Sequence, residues 1–292
     1  MSAADTSTAP VPAALVGTDW AREHLDDPNV RFLEVDVDTG AYDTGHLPGA
    51  TGINWQSQLT DPVIRDLVSR EELQSLLRAA GVDDDTTIVL YGDNNNWFAA
   101  WAYWQLRYQG LDNVRLLDGG RIKVEADGLP LTTDTPSHAA GTITLPDDTR
   151  EELRAYRKQV IDGIGSADRD LVDVRSPEEF RGELAAPAHL PQEAAQRRGH
   201  IPGAVNVPWS TAVAEDGTFK PIEQLRELYG AKGVRGEDEI VAYCRIGERS
   251  SHTWFVLHEL LGYRNVRNYD GSWTEYGSLV GVPIETGEAS AN

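Results

Sequence analysis

Cysteine is almost absent from this chain: its 292 residues include one, Cys244. A lone thiol forms no intramolecular disulfide and builds neither a four-cysteine zinc site nor a C-x-x-C redox pair, so it is free. Positive charge is scarce too. Lys and Arg number 26 against 47 Asp and Glu, a formal net charge of −21 at pH 7, and no basic run offsets it locally. Such a field repels polyanions, so no nucleic-acid partner is expected. Only Lys123, Lys158, Lys220 and Lys232 are lysines; the bias suits an Arg-rich, acidic cytosol or a salt-adapted surface. No stretch reaches the eighteen or so apolar residues of a membrane-spanning helix, and no membrane partner is expected. The opening MSAADTSTAPVPAAL has neither the basic segment nor the apolar run of a secretory signal. Its small residues, Thr and Pro predict disorder, and a cytoplasmic location is expected.

What the chain does contain is a copy of itself. IVLYGDNNNWFAAWAYWQLRYQGLDNVRLLDGG from Ile88 aligns without a gap on IVAYCRIGERSSHTWFVLHELLGYRNVRNYDGS from Ile240, 152 residues later. GHLPGA at 45–50 recurs as GHIPGA at 199–204, and FLEVDVD near Asp36 recurs as LVDVRS near Asp173. A repeat of this length is a domain, not a solenoid unit. In each copy a β-branched strand leads to a Gly/Pro turn, an amphipathic helix, a strand apolar on successive residues and a second helix ending at Gly110 or Gly262. This predicts α/β architecture: two tandem domains, each a mainly parallel sheet flanked by helices. The domains are expected at 12–131 and 150–286, joined by a polar linker at 132–149.

The copies differ where chemistry would sit. Cys244 faces Gly92, whose loop continues Asp93-Asn94-Asn95-Asn96, and in this alignment Arg175 faces Asp38. Only the second copy is equipped for nucleophilic chemistry. Cys244 follows a predicted parallel strand, at the edge where α/β sheets place their sites. Its loop is Cys244-Arg245-Ile246-Gly247-Glu248-Arg249, followed by Ser250. Lowering a thiol pKa from about 8.5 to about 6.5 makes it mostly thiolate at neutral pH and needs only about 2.7 kcal/mol. Loop amides, a helix N-terminus and Arg245 or Arg249 are expected to supply it, with Gly247 letting the loop curl. Free cysteines are often inert core residues; two arginines in the same loop favour function. A cysteine phosphatase needs five residues between Cys and Arg. Arg249 is one position early and Ser250 stands in the required place, so the ring of amides should be tighter, suited to a sulfur substituent rather than phosphate.

These residues resemble the rhodanese (thiosulfate sulfurtransferase) family in its tandem form. YDTGHLPGATGI from Tyr42 is similar to the family's N-terminal signature and VRNYDGSWTEY from Val266 to its C-terminal one; the resemblance covers about 15–285. CRIGERSSHTWFVLHELLG with YDGSWTEYGS is similar to the actinobacterial-type enzymes. The resemblance implies a catalytic Cys244 that takes the outer sulfur of thiosulfate as a persulfide, releases sulfite, and passes the sulfur to cyanide or a thiol in ping-pong fashion, with a silent N-terminal domain and no cofactor or metal. Residues Arg245, Ile246, Gly247, Glu248, Arg249 and Ser250 would bind substrate, the arginines offsetting its charge. Arg245 stands where mercaptopyruvate sulfurtransferases carry Gly, which favours thiosulfate. Mercaptopyruvate remains the alternative donor, and a persulfide carrier or regulatory module with a protein acceptor the alternative role. Arg175 either approaches the same pocket or pairs structurally with Asp173 or Glu179.

Other residues carry plainer readings. His46 and His200 occupy matched turns of both copies and are expected to be structural. His252, eight residues past the thiol, is turned away by helix geometry. Asp270 recurs as Asp118 without a thiol, which suits a turn residue, though it and Trp273 could line the pocket. Trp97, Phe98, Trp101 and Trp104 are expected in core or interdomain packing, and the insertion at 183–198 is a flap or mere decoration. Gly163-Ile164-Gly165 has Asp168 in place of a third glycine and is no dinucleotide fingerprint.

Overall fold

The apolar runs become two parallel sheets. In the computed structural model, which describes residues 13–37, 39–186 and 195–288, the first sheet holds β1 (Leu15–Val16), β2 (Val30–Asp36), β3 (Thr51–Asn54), β4 (Thr87–Tyr91) and β5 (Val114–Leu117) in the order β1-β5-β4-β2-β3. The second holds β6 (Arg169–Asp173), β7 (Val205–Asn206), β8 (Glu239–Tyr243) and β9 (Val266–Asn268) in the order β7-β6-β8-β9. Every pairing is parallel. The second sheet repeats β3-β2-β4-β5. At the place of β1, Arg154 makes a single parallel bridge to Asn268. The predicted disordered start, up to residue 12, Asp38, and 187–194 of the expected flap lie outside the described residues.

Local chemistry sets the helix ends. Ser69 Oγ accepts from Glu72 N–H while the Glu72 carboxylate accepts from Ser69 N–H, a reciprocal cap that starts the helix Arg70–Ala79. The helix Trp97–Tyr108 ends before Gly110, at φ +90°. Its counterpart begins at Glu248, runs to Phe255, and finishes in a π-helical turn, Val256–Leu260, before Gly262 at φ +71°. These two helices pack the halves together: the Tyr103 ring meets Phe255 edge-on at 4.8 Å, and Trp104 Nε1–H donates to Leu153 O. One apolar cluster therefore runs from Leu33 through Trp104 to Leu257. The segment expected as a linker is anchored on the first half. Its Thr-Ile-Thr-Leu alternation buries Ile143 and Leu145, and Ile143 N–H donates to Val82 O.

Strand register corrects the repeat alignment near Asp36. Asp173 pairs across its sheet with Tyr243, whereas Glu34 is the residue that pairs with Tyr91. Tyr91 and Tyr243 are equivalent, each accepting a backbone N–H from the Gly/Pro turn, that of Leu47 or Ile201. Glu34 is thus the counterpart of Asp173, and Asp36 of Arg175. Two acidic residues spaced by two in one strand made the sequence alignment ambiguous by one pleat repeat.

Candidate active site

Cys244 follows β8 directly, at the C-terminal edge, where the chain order reverses between β6 and β8. This is the switch point at which parallel α/β sheets open a crevice. The thiol is wholly buried and belongs to the apolar cluster that joins the halves, with polar groups on one side of its sulfur. Gly247 N–H points at Sγ from 3.1 Å, Ser250 Oγ lies at 3.7 Å and Ser272 Oγ at 4.0 Å. Sγ itself donates to Glu248 Oε2 at 3.3 Å.

The loop is held from behind. Cys244 N–H donates to Ser272 Oγ, while Trp273 and Thr274 N–H groups donate to the carbonyls of Cys244 and Arg245. Ser250 Oγ donates to Asn268 Oδ1 at 2.6 Å, and Asn268 Nδ2 donates to Ser251 Oγ at 2.8 Å. Gly247 sits at φ +106° with a hypothetical Cβ 3.0 Å from Asp270 Cα, so the curl requires glycine in both conformation and space. Sequence reading found Gly247 but gave no role to Asn268 and Ser272, although both lie in the VRNYDGSWTEY signature; they become partners only when β9 and the turn after it fold behind the loop.

Two expectations are corrected, and an open alternative is resolved. First, the thiol pKa is raised, not lowered. Burial is the main cause and the Glu248 carboxylate adds to it; Arg249 and the Ser250 N–H and hydroxyl pull the other way. Second, the Arg249 guanidinium is committed to a two-pronged buried pair with Glu179, at 2.9 and 3.2 Å, with its Nε 3.5 Å from Glu248. Glu179 is held below the usual carboxylate range against the pull of burial, chiefly by the charge of Arg249. Third, Arg175 is a buried structural residue. It pairs with Asp173 at 2.5 Å, donates to Gly199 O at 2.7 Å, and lies 4.5 Å from the Trp273 ring centre. In the first half Arg121 does the same for Glu34, donating also to Gly45 O at 2.6 Å. A cluster present in the copy without a thiol is scaffold.

Arg245 is buried, and Ile246 is the loop residue that reaches a cleft of about 920 Å³ between the halves. Trp55, Trp101 and Asp66 line it from the first half, Arg154 and Asp270 from the second. Arg154 bonds both acids, Asp66 at 2.7 Å and Asp270 at 2.8 Å, and so ties the halves across the cleft. Asp270 does line the pocket; Trp273 is buried and does not. Arg154 was missed because nothing in EELRAY distinguishes it before its edge bridge to β9 forms. Trp97 packs edge-on against Trp209 with Arg249 above its ring, an interdomain contact as expected.

The histidines take their plainer roles. His46 stacks on Tyr42 and bonds Tyr42 O, while His200 stacks on Phe180 and bonds Phe180 O. His252 is buried against Phe219 and Trp209, with its pKa pushed down by burial to about 3. Among the described residues no group of three or more His, Cys, Asp or Glu is placed to hold a metal ion, and no helix is long and apolar enough to cross a membrane.

The fold and the duplicated loop define a class. Residues 17–126 and 156–279 both match the Rhodanese-like domain, and the chain belongs to that family. It is 59% identical over 271 residues, 93% of this chain and 95% of the other, to a Saccharopolyspora erythraea protein named "Putative thiosulfate sulfurtransferase". It is 55% identical over 280 residues, 95% of this chain and 98% of the other, to the sulfur carrier protein TtuD of Thermus thermophilus. Among solved structures, SseA from Escherichia coli, described with the 3-mercaptopyruvate sulfotransferases, matches with a TM-score of 0.76 at 27% identity, covering 89% of this chain and 98% of that one.

Proposed function

We propose that this sulfurtransferase moves the outer sulfur of thiosulfate to cyanide or a thiol through a persulfide on Cys244, the thiosulfate:cyanide reaction. Cys244 attacks the sulfane sulfur and sulfite departs; the acceptor then attacks the outer sulfur of the persulfide and regenerates the enzyme. The observation that carries this reading is the loop around Sγ. It aims Gly247 N–H at the sulfur from 3.1 Å, at the switch-point edge of the one half that has a thiol. Backbone from Arg245 to Ser250 would hold the persulfide, and in this reading 12–131 is the silent domain, 132–149 the connection and 150–286 the catalytic domain.

Mercaptopyruvate as donor is disfavoured by Arg245. A carrier role toward a protein acceptor is favoured by the cleft, whose volume of about 920 Å³ far exceeds the need of thiosulfate or cyanide. Thiocyanate formation from thiosulfate and cyanide is expected for the native chain and is expected to vanish in Cys244→Ser. Turnover retained by that variant would remove Cys244 from the reaction. A one-sulfur mass gain with thiosulfate but negligible thiocyanate formation would support the carrier instead.

A further inference from the structure

A thiol with no exposure to solvent poses a problem for nucleophilic attack, because its proton needs an acceptor inside the protein. We propose that Glu248 is the proton acceptor for Cys244, taking the thiol proton as the sulfur attacks its donor and returning it when the persulfide has been discharged. This rests on the sulfurtransferase reading above and assigns the residue a step in it, in place of the substrate contact expected from sequence.

The geometry is direct. Glu248 opens the helix Glu248–Phe255, one turn beyond Cys244, and its Oε2 accepts the Sγ–H at 3.3 Å. Both side chains are buried. The other carboxylate oxygen lies 3.5 Å from Arg249 Nε, which orients it. Every other charged group packed around the pair is already matched. Arg249 is held by Glu179, Asp270 behind Gly247 by Arg154, and Asp173 behind Tyr243 by Arg175. Arg245 adjoins the thiol in the loop, and a guanidinium offers donors but no acceptor. His252, one turn further along the helix, stays neutral down to about pH 3.

In the loading step Cys-SH, Glu-COO⁻ and S-SO3²⁻ become Cys-S-S⁻, Glu-COOH and SO3²⁻. The S–S bond of thiosulfate breaks with its electron pair leaving on sulfite, the new S–S bond uses the thiol's pair, and total charge is −3 on both sides. In the second step cyanide or a thiolate removes the outer sulfur, and Glu-COOH reprotonates the Cys244 thiolate. The buried Cys–Glu pair therefore carries a single negative charge before and after loading. It never holds two charges in a dry site beside a dianion, the arrangement that burial penalises most. The silent half supplies the contrast. Asn96 occupies the position equivalent to Glu248, and its amide can accept a hydrogen bond, as it does from Gly92 N–H at 3.0 Å, but cannot take a proton.

The test is single-turnover sulfite release from thiosulfate by the full chain, by Glu248→Gln and by Glu248→Asp, followed between about pH 6 and 9. With Glu248 as acceptor, release by the native chain is nearly flat below the thiol's own titration. Glu248→Gln falls at least about tenfold at the acid end and climbs about tenfold per pH unit until the thiol ionises, with thiosulfate KM little changed. Glu248→Asp restores the flat profile. Glu248→Gln loading as fast as the native chain or faster at every pH would mean that the carboxylate only repels the donor. A drop by one constant factor at every pH would mean that it only packs the loop; either overturns the proposal. Should Glu248→Gln fail to fold by circular dichroism, the shape of the Glu248→Asp profile decides, a steep rise with pH counting against the proposal. A native chain that gains no sulfur at all overturns the sulfurtransferase reading itself, whereas native loading with a flat Glu248→Gln profile overturns only the proton-acceptor role.

Discussion

The two halves build the same edge from different parts, and the difference locates the chemistry. After β8, the loop wraps a sulfur; after β4, it has closed on itself. A Cβ on Gly92 would stand 2.3 Å from Val35 O and 2.8 Å from Asp36 Oδ1. Asn94, Asn95 and Asn96 all take positive φ, between 47° and 62°, a region asparagine tolerates better than other residues with a Cβ. The Asn96 side chain fills the loop, accepting from Gly92 N–H and donating to Leu117 O. The acid, tyrosine, guanidinium and glycine-carbonyl cluster beneath is retained in both halves, yet its arginine comes from the end of β6 in one and from the helix Gly120–Ala126 in the other. What persists when the thiol is absent holds the fold; what changes with it belongs to the site.

The strongest way to break this comparison is Arg175→Ala. Removing one partner of a fully buried ion pair leaves Asp173 uncompensated and is expected to cost about 3–5 kcal/mol in urea denaturation, more than Arg121→Ala, whose guanidinium also meets the half-exposed Glu125. Unchanged stability with lost sulfur transfer would return Arg175 to the site.

Placing a thiol in the first half sharpens it further. Gly92→Cys is expected to destabilise by about 1–3 kcal/mol through overpacking against β2. Mass spectrometry after thiosulfate should still find one added sulfur per chain. Two would mean that the closed loop reopens at little cost.

The smallest effect per measurement step, a slope with pH, concerns Asp36, which stands where the other half has Arg175. Burial pushes its carboxyl up to about 8, with repulsion from Asp93 and Glu34 opposing the benefit of the Asp93 N–H. The folded chain therefore binds a proton that the unfolded chain has released between about pH 4 and 8, and stability contributed by this group falls as pH rises through that window. Asp36→Asn should flatten the slope by about 1 kcal/mol per pH unit at most, read from urea midpoints at pH 5 to 8. No change in slope would mean that water reaches the carboxylate.

Much of the site was legible in one dimension. The gapless repeat places Cys244 opposite Gly92, the apolar run at 240–243 places it after a buried strand, and the four residues between Cys244 and Arg249 argue against a phosphatase loop. Glycine at 247 announces the curl. All of these are consequences of covalent spacing, which a folded chain cannot change. The counterpart of Arg175 in the first half was not legible, because Asp36 and Glu34 both offered an acid for the alignment and only the hydrogen-bonded register of β2 with β4 chose between them.

By itself, then, the order of residues determined a duplicated parallel α/β chain, a single free thiol at the edge of its second sheet, and a short loop around that thiol. Tertiary structure decided the rest: that Glu179, 70 residues away, takes up Arg249; that Arg154 bridges the cleft; and that the sulfur lies against the Glu248 carboxylate. The physical reason is that spacing dictates local backbone geometry. Charge state depends on burial and on which distant carboxylates and guanidinium groups are folded within a few ångströms, and those distances exist only in three dimensions.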